Sequence, residues 1–432
     1  MYGYLSGLRP RRGPRAAFRR SLPAALALIA AIALPAACSS SSSNGASIGS
    51  SGSSGSTGVV KLGAIFNETG ALSLFEAPAV DGLKYAVSQI NAHGFVVNGK
   101  RYKLDLIIGP DAAGSASTAA ADARSMISDD GIQFLYGPVS EGDEAILPIS
   151  NASNVMLLTA STTIYTDLGP QNPLLFRVSV DDSWRGQLDE AWLKKSVPDV
   201  KTVAFLEINN AEGQEVLQTE MSEFKAAGIT PVYTALYPPG TVDFTSYLTK
   251  MAATHPGIFV PSVATPDNLT MLRQAIQLNL ASNYEVDLTP SQIPTYVPSS
   301  FNGKIFVIQT GPQFDIPTTQ AAKDYINGLK TFVGGSLPQY DQYSDYYYDS
   351  TFQLVKAMQA ANSVTDTKAV ADEFSKITYK GMYGTLSYHG GHKLDYPVDN
   401  CLYSAGIYTC QNQNLTASGQ LQILGSASEP IK

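Results

Sequence analysis

The stretch from Ile132 to Thr163 constrains the fold of this chain more than any other. An apolar run, Ile132-Gln-Phe-Leu-Tyr136, gives way to Gly137-Pro-Val-Ser-Glu-Gly142 and a helical segment. A second apolar run, Asn154-Val-Met-Leu-Leu158, then ends in the hydroxyl cluster Thr159-Ala-Ser-Thr-Thr163. Each run has the length of a fully buried parallel strand, and each ends in small polar residues rather than a hairpin turn. Such a strand, loop, helix, strand, loop unit sends both loops off one edge of a sheet, the edge where open parallel sheets hold ligands.

The same alternation recurs on either side. Val59 to Phe66 reads as strand one, ending in Asn67-Glu-Thr-Gly70, and Val80, Leu83, Ala86, Val87 and Ile90 recur at helical spacing. Tyr102 to Ile108 predicts strand two and Ser117 to Ile127 helix two. With strand three on the far side of strand one from strand two, the loops at Asn67–Gly70 and Gly137–Gly142 meet at the switch point. The pattern restarts after Phe176-Arg-Val-Ser-Val180. Val203 to Glu207, Thr230 to Tyr237, Gly257 to Pro261 and Lys304 to Ile308 read as strands of a second sheet. Helices fill Thr319 to Phe374, and Gly384-Thr-Leu-Ser-Tyr388 opens a run of short closing strands. The prediction is an α/β chain of two doubly wound parallel-sheet lobes joined by a three-stranded hinge. It assigns 59–178 with 312–383 to lobe I and 179–311 with 384–432 to lobe II, with crossings near 178, 311 and 384.

Residues 1–58 stand apart. Met1 to Arg20 carries six arginines and no acid, and Leu22 to Ala37 is apolar apart from its prolines, which reads as an export signal over 1–37. Leu34-Pro-Ala-Ala-Cys38 resembles a bacterial lipobox, so Cys38 is the expected lipid anchor, and the Ser/Gly tract of 38–58 a flexible tether. The formal charge of −8 becomes −14 once the signal is set aside. An acidic body with no basic stripe excludes nucleic acid as the expected partner. The remaining cysteines are Cys401 and Cys410. Export permits a disulfide between them if the chain turns near Ser404-Ala-Gly406; otherwise they are separate thiols, and in both cases structural.

Leu62-Gly-Ala-Ile-Phe66, Thr69-Gly70, Gly137-Pro-Val-Ser140, Thr159-Ala-Ser-Thr-Thr163, Phe176-Arg177, Thr241-Val-Asp-Phe244, Tyr348-Asp349 and Gly381-Met-Tyr-Gly384 fall in a recognisable order. In this order the chain resembles the leucine/isoleucine/valine-binding proteins, the type I periplasmic-binding-fold receptors of branched-chain amino acid ABC transporters. The resemblance implies a small-molecule ligand held by Ser140, Glu141 and Gly142 and by Ser161, Thr162 and Thr163. Thr69 lies on the same edge, and Asn210, Glu212, Ala264 and Thr265 lie in the loops of the facing lobe. It also implies ABC permease partners, a monomer, no cofactor, and a place outside the cytoplasmic membrane. The second lobe departs from the family pattern: Asn209-Asn-Ala-Glu-Gly213 and Ser262 to Thr265 lack the family's aromatics, which leaves the ligand's identity open.

Alternative roles stand beside these. Ser140-Glu-Gly-Asp143 has the form of a helix capping box, and Glu141, Asp143 and Glu144 suit a helix dipole. An inward Glu141 disfavours a carboxylate and favours an ammonium. Tyr346-Tyr-Tyr348 reads as core and lobe surface. His389-Gly-Gly-His392 has metal-ligand spacing but no nearby cysteine, so no metal is expected. No nucleophile elbow, zincin motif or Walker loop is present in the sequence, which argues against an enzyme. A sensory receptor module without transport, and a binding protein for an amide or aromatic acid, remain as rival functions.

Overall fold

The computed structural model describes residues 57–69, 73–139, 142–161, 167–262, 267–286, 288–309, 315–337, 343–389 and 392–431. The expected signal, the Cys38 anchor and nearly all of the tether lie outside them. Among the described residues no helix is long and apolar enough to cross a membrane.

The first sheet contains β1 (Gly58–Ala64), β2 (Phe95–Val97), β3 (Lys100–Ile108), β4 (Phe134–Tyr136), β5 (Met156–Thr159) and β6 (Leu175–Arg177). Its order is β2-β3-β1-β4-β5-β6. All neighbours are parallel except the β2–β3 hairpin. β1 therefore lies between strands two and three of the sequence reading, which creates the anticipated switch point between β1 and β4. Helices α1 (Ser73–His93), α2 (Ala116–Ser125) and α3 (Asp143–Ala152) connect these strands. Leu62, Tyr136, Leu158 and Phe176 face a core shared with α1, whereas Ile65, Leu135, Leu157 and Leu175 face one shared with α2 and α3. β4, β5 and β6 are buried along their whole length, which is why their sequences run apolar without alternation, whereas β1 and β3 expose Lys61 and Asp105.

After α4 (Asp182–Ser196) the second sheet is wound the same way. Strands β7 (Thr202–Ile208), β8 (Thr230–Tyr237), β9 (Ile258–Pro261), β10 (Asn283–Glu285) and β11 (Lys304–Gln309) alternate with α5 (Ala211–Ala226), α6 (Thr245–Ala252), α7 (Asp267–Gln277) and α8 (Ile293–Tyr296). The chain then returns to the first core with α9 (Gln320–Val333), α10 (Ser344–Ala360) and α11 (Thr367–Phe374). Helix α10 lies close against α1 because Gly82 has no side chain: any Cβ there would strike the Ser344 backbone.

The closing segment differs from expectation in two ways. First, β12 (Thr378–Lys380), β13 (Thr385–His389) and β14 (Lys393–Asp395) form a small antiparallel sheet of their own. Its Leu386 and Leu394 join the first core, and Tyr388 packs edge-on against Phe176. Residues 378–395 thus pack on the first core, against β6 and α11. Second, β15 (Val398–Ser404), β16 (Ile407–Leu415) and β17 (Leu421–Pro430) are not short. They extend the second sheet antiparallel, in the order β17-β16-β15-β11-β10-β9-β7-β8. The second sheet is mixed rather than purely parallel. Cys401 and Cys410 are directly opposed across the β15–β16 hairpin and joined by a disulfide. Its turn is made by Ala405 and Gly406, both at positive φ, as a two-residue hairpin turn requires.

Polar bonds hold the crossings. The Asp181 amide donates to the Leu394 carbonyl at 2.8 Å. Thr318 donates to Asp399 at 3.0 Å, and Asn412 donates to the same carboxylate oxygen at 3.0 Å.

Candidate functional site

The carboxyl ends of β1, β4 and β5 supply the site's first wall. Past β1 the chain stays tied to the sheet: the Ile65 amide donates to the Tyr136 carbonyl at 3.0 Å. Asn67 is then locked from several sides. Its amide and side-chain Nδ2 donate to the two oxygens of buried Glu76, at 2.7 and 2.9 Å, and its Oδ1 accepts from the Gly114 amide at 2.6 Å. Thr69 donates its hydroxyl to Asp111, and the Glu68 amide reaches the same carboxylate at 2.8 Å. These bonds, led by the Thr69 hydroxyl, hold the Asp111 carboxyl below its usual range.

The loops after β4 and β5 are stapled by a side chain from far along the sequence. Buried Tyr347 of α10 donates to the Gly137 carbonyl at 2.9 Å and accepts from the Ala160 amide at 3.2 Å. Its ring packs edge-on against Phe66 with centroids 5.1 Å apart. Beside it the Thr159 hydroxyl lies 2.7 Å from the Pro138 carbonyl and 2.6 Å from Asp143 Oδ2, and accepts from the Ser161 amide at 3.0 Å. Asp143 and Ser161 are both buried. Burial pushes the Asp143 carboxyl well above the usual carboxylate range.

The corresponding edge of the second sheet consists of the carboxyl ends of β7, β8 and β9. Buried Glu207 accepts from its neighbouring Ile208 amide at 2.8 Å and from the Ser262 hydroxyl. Tyr237 donates to Asp267 at 2.8 Å. Asn210 caps α5, its Oδ1 accepting from the Gly213 amide at 2.7 Å. This edge is rich in hydroxyl and carboxyl groups that already have partners.

The structure gathers Gly142 and Ser161 at the stapled loops, whereas Thr69 spends its hydrogen on Asp111 and Asn210 serves as a cap. Glu212 lies in the first turn of α5. Ser140, Glu141, Thr162, Thr163, Ala264 and Thr265 lie outside the described residues. The N-cap of α3 is Gly142, at φ 116°; the capping box centred on Ser140 falls outside the described residues. Asp143, read from sequence as suited to a helix dipole, does lie in the first turn of α3 and is buried there. The histidine pair takes separate partners. His392 Nδ1 meets the Leu175 carbonyl at 2.8 Å with its ring stacked on Phe176, and His389 pairs with Asp395.

Sequence reasoning missed Asn67, Glu76, Asp143 and Tyr347 as builders of this wall. The available signal was chemical: a tyrosine on a buried helix face needs a partner for its hydroxyl. A separate cavity of about 580 Å³ opens at the opposite, amino-terminal edge of the second sheet, lined by His255, Tyr284, Phe301 and Asn302 among others.

Comparison with known proteins places this geometry. The family described as periplasmic binding protein matches residues 59–407. A Leu/Ile/Val-binding protein of Rhizobium johnstonii is 28% identical over 197 residues, 44% of this chain and 51% of that protein. The match thus spans about half the length of that curated relative. Among solved structures, a leucine binding protein from Thermotoga maritima aligns with a TM-score of 0.62 at 19% identity, covering 85% of this chain and 98% of that one. A solute binding protein of an ABC transporter from R. palustris, in complex with 4-hydroxybenzoate, aligns with a TM-score of 0.62 at 15% identity, covering 87% and 98%. The fold is that of the type I periplasmic binding proteins.

Proposed function

The chain belongs to the periplasmic binding protein family, and on that premise we propose that it is the extracytoplasmic solute-binding protein of an ABC importer, without a catalytic step of its own. The first lobe is built on the first sheet and ends near Tyr396; the second is built on the second sheet. The two close on a small polar solute. In this reading residues 1–37 direct export, Cys38 carries a lipid anchor, and membrane permease subunits receive the loaded protein.

The observation that carries the reading is that the loops after β4 and β5, beside the switch point between β1 and β4, are tied together by Tyr347. Such loops present backbone N–H groups and hydroxyls to a ligand. The solute's head group is held by Ser140, Glu141 and Gly142 and by Ser161, Thr162 and Thr163, with Thr69 at the margin. Asn210, Glu212, Ala264 and Thr265 close from the other side. Each hydrogen bond to a charged group contributes about 1.5–3 kcal/mol. Three or four therefore account for much of the roughly 8 kcal/mol that a micromolar Kd represents, before the costs of association.

An amino acid and an aromatic acid are both consistent with that head-group site. Neither is singled out by the loops at Asn209–Asn210 and Ser262, which lack aromatic side chains, or by the fold, shared alike with a leucine binding protein and with the 4-hydroxybenzoate complex. A thermal-shift panel of leucine, isoleucine, benzamide and 4-hydroxybenzoate separates them. At a hundred times Kd the true solute stabilises the protein by about 2.7 kcal/mol. A flat response to every amino acid and aromatic acid refutes both ligand classes.

A further inference from the structure

The hydrogen-bond arithmetic around Asp143 leaves one place for a proton. The Thr159 hydroxyl has one hydrogen and three polar neighbours: the Pro138 carbonyl at 2.7 Å, Asp143 Oδ2 at 2.6 Å and the Ser161 amide at 3.0 Å. An amide only donates and a carbonyl only accepts. Thr159 therefore accepts from Ser161 and donates to Pro138, and its short contact with Asp143 needs a hydrogen from the carboxyl. Were Asp143 to take the Thr159 hydrogen instead, two bare oxygens would face each other at 2.7 Å.

Two further observations agree. The other carboxyl oxygen, Asp143 Oδ1, is buried without a hydrogen-bond partner and presses on Gly137, where any Cβ would strike it. A neutral acid tolerates such a site, whereas an ionised carboxylate needs donors on both oxygens. Among the described residues, the groups facing it are Glu76 from α1, Glu144 from α3 itself, Ser161 from the loop after β5 and Tyr347 from α10. None of these is a cation and two are acids, while the Ser161 side chain hydrogen-bonds the carboxyl.

We propose that Asp143 is a positioning residue of the solute site, held as a neutral acid whose proton locks the loops after β4 and β5 together. The proposal rests on the reading that these loops hold the solute. Loss of the proton makes Thr159 choose between Asp143 and Pro138, which loosens the two loops, and adds a charge beside Glu76. Solutes, and above all those with a carboxylate head group, then bind more weakly as pH rises through the titration of Asp143.

The test uses the purified protein labelled with carboxyl-¹³C aspartate, the Asp143 resonance being assigned by its loss in Asp143→Asn. The expected resonance is that of a protonated acid at neutral pH, where ordinary aspartates are ionised; titration in the ordinary carboxylate range overturns the proposal. Calorimetric titrations with leucine and with 4-hydroxybenzoate from pH 6 to 9 supply the second readout. Wild-type affinity is expected to fall by up to about tenfold per pH unit above the titration, the limit for one linked proton. Asp143→Asn, whose amide donates to Thr159 as the acid does, is expected to fold, bind and show a flat profile, and Asp143→Ala to bind weakly throughout. A slope unchanged in Asp143→Asn overturns the role. Failure of both solutes to bind refutes the choice of ligand, while the resonance still decides the proton.

Discussion

Removing one oxygen from Tyr347 tests how the site's wall is assembled. In Tyr347→Phe the ring and its edge-on packing against Phe66 are retained, so the substitution leaves only a small void. Two hydrogen bonds disappear, to the Gly137 carbonyl and from the Ala160 amide. Each bond contributes about 0.5–1.5 kcal/mol net, and a buried backbone group left unpaired costs about 1–3 kcal/mol. The expected loss is therefore about 2–4 kcal/mol. It should be read from urea denaturation as a lower midpoint at unchanged m-value, which assigns the change to stability rather than to the extent of unfolding. The same variant should weaken solute binding, because the loops after β4 and β5 lose their common tie. A loss below about 0.5 kcal/mol would refute the reasoning, since α10 would then not be what holds the two loops in place.

Three other perturbations have defined outcomes. Replacing Cys401 and Cys410 by serine opens a loop of nine residues' separation and should cost about 2–3 kcal/mol by chain entropy, checked by denaturation with and without reductant. Asn210→Ala should cost about 1 kcal/mol of stability in the solute-free protein through loss of the α5 cap, whereas Asn210→Asp keeps the acceptor and should cost little in the same assay. Burial pushes the Asp349 carboxyl, which accepts from the Met382 amide and Tyr396, up to about 7 from 3.8. A folded-state value above the unfolded one means that the native state holds the proton more tightly. Its contribution is complete below about pH 4 and is lost as pH climbs through 7. Relative to Asp349→Asn, the wild type should lose up to about 4 kcal/mol over that window, measured by denaturation at stepped pH.

The wound strands were legible where a strand covered on both faces is apolar throughout, as at Phe134–Tyr136 and Val203–Leu206. The switch point followed from strand order, and β4 does lie beside β1 opposite β3. The turn between Cys401 and Cys410 was legible from Ser404-Ala-Gly406. The closing strands were harder. Leu421–Pro430 includes glycine, alanine and serines that carry little strand preference, and it is held by pairing with β16. The fate of Thr385–Asp395 depended on Phe176 and Phe374, which no local pattern reveals. At the site, Gly142 and Ser161 were legible as members of the loops that follow β4 and β5. Asp143 was not, because its partner Thr159 lies 16 positions away, and Tyr347 reaches Gly137 across 210 positions. Local charge reasoning placed Asp143 on a helix dipole; tertiary packing buried it.

In the proposed function a small solute sits on the loops after β4 and β5. A crystal structure of the protein with the solute selected by the thermal-shift panel tests it most directly. The expected result is a head group within hydrogen-bond distance of the loop that holds Gly142 and of the segment that follows Ser161, with the second sheet's loops closed over its other end. A solute found instead in the cavity lined by His255, Tyr284 and Phe301, with the stapled loops bare, would contradict it.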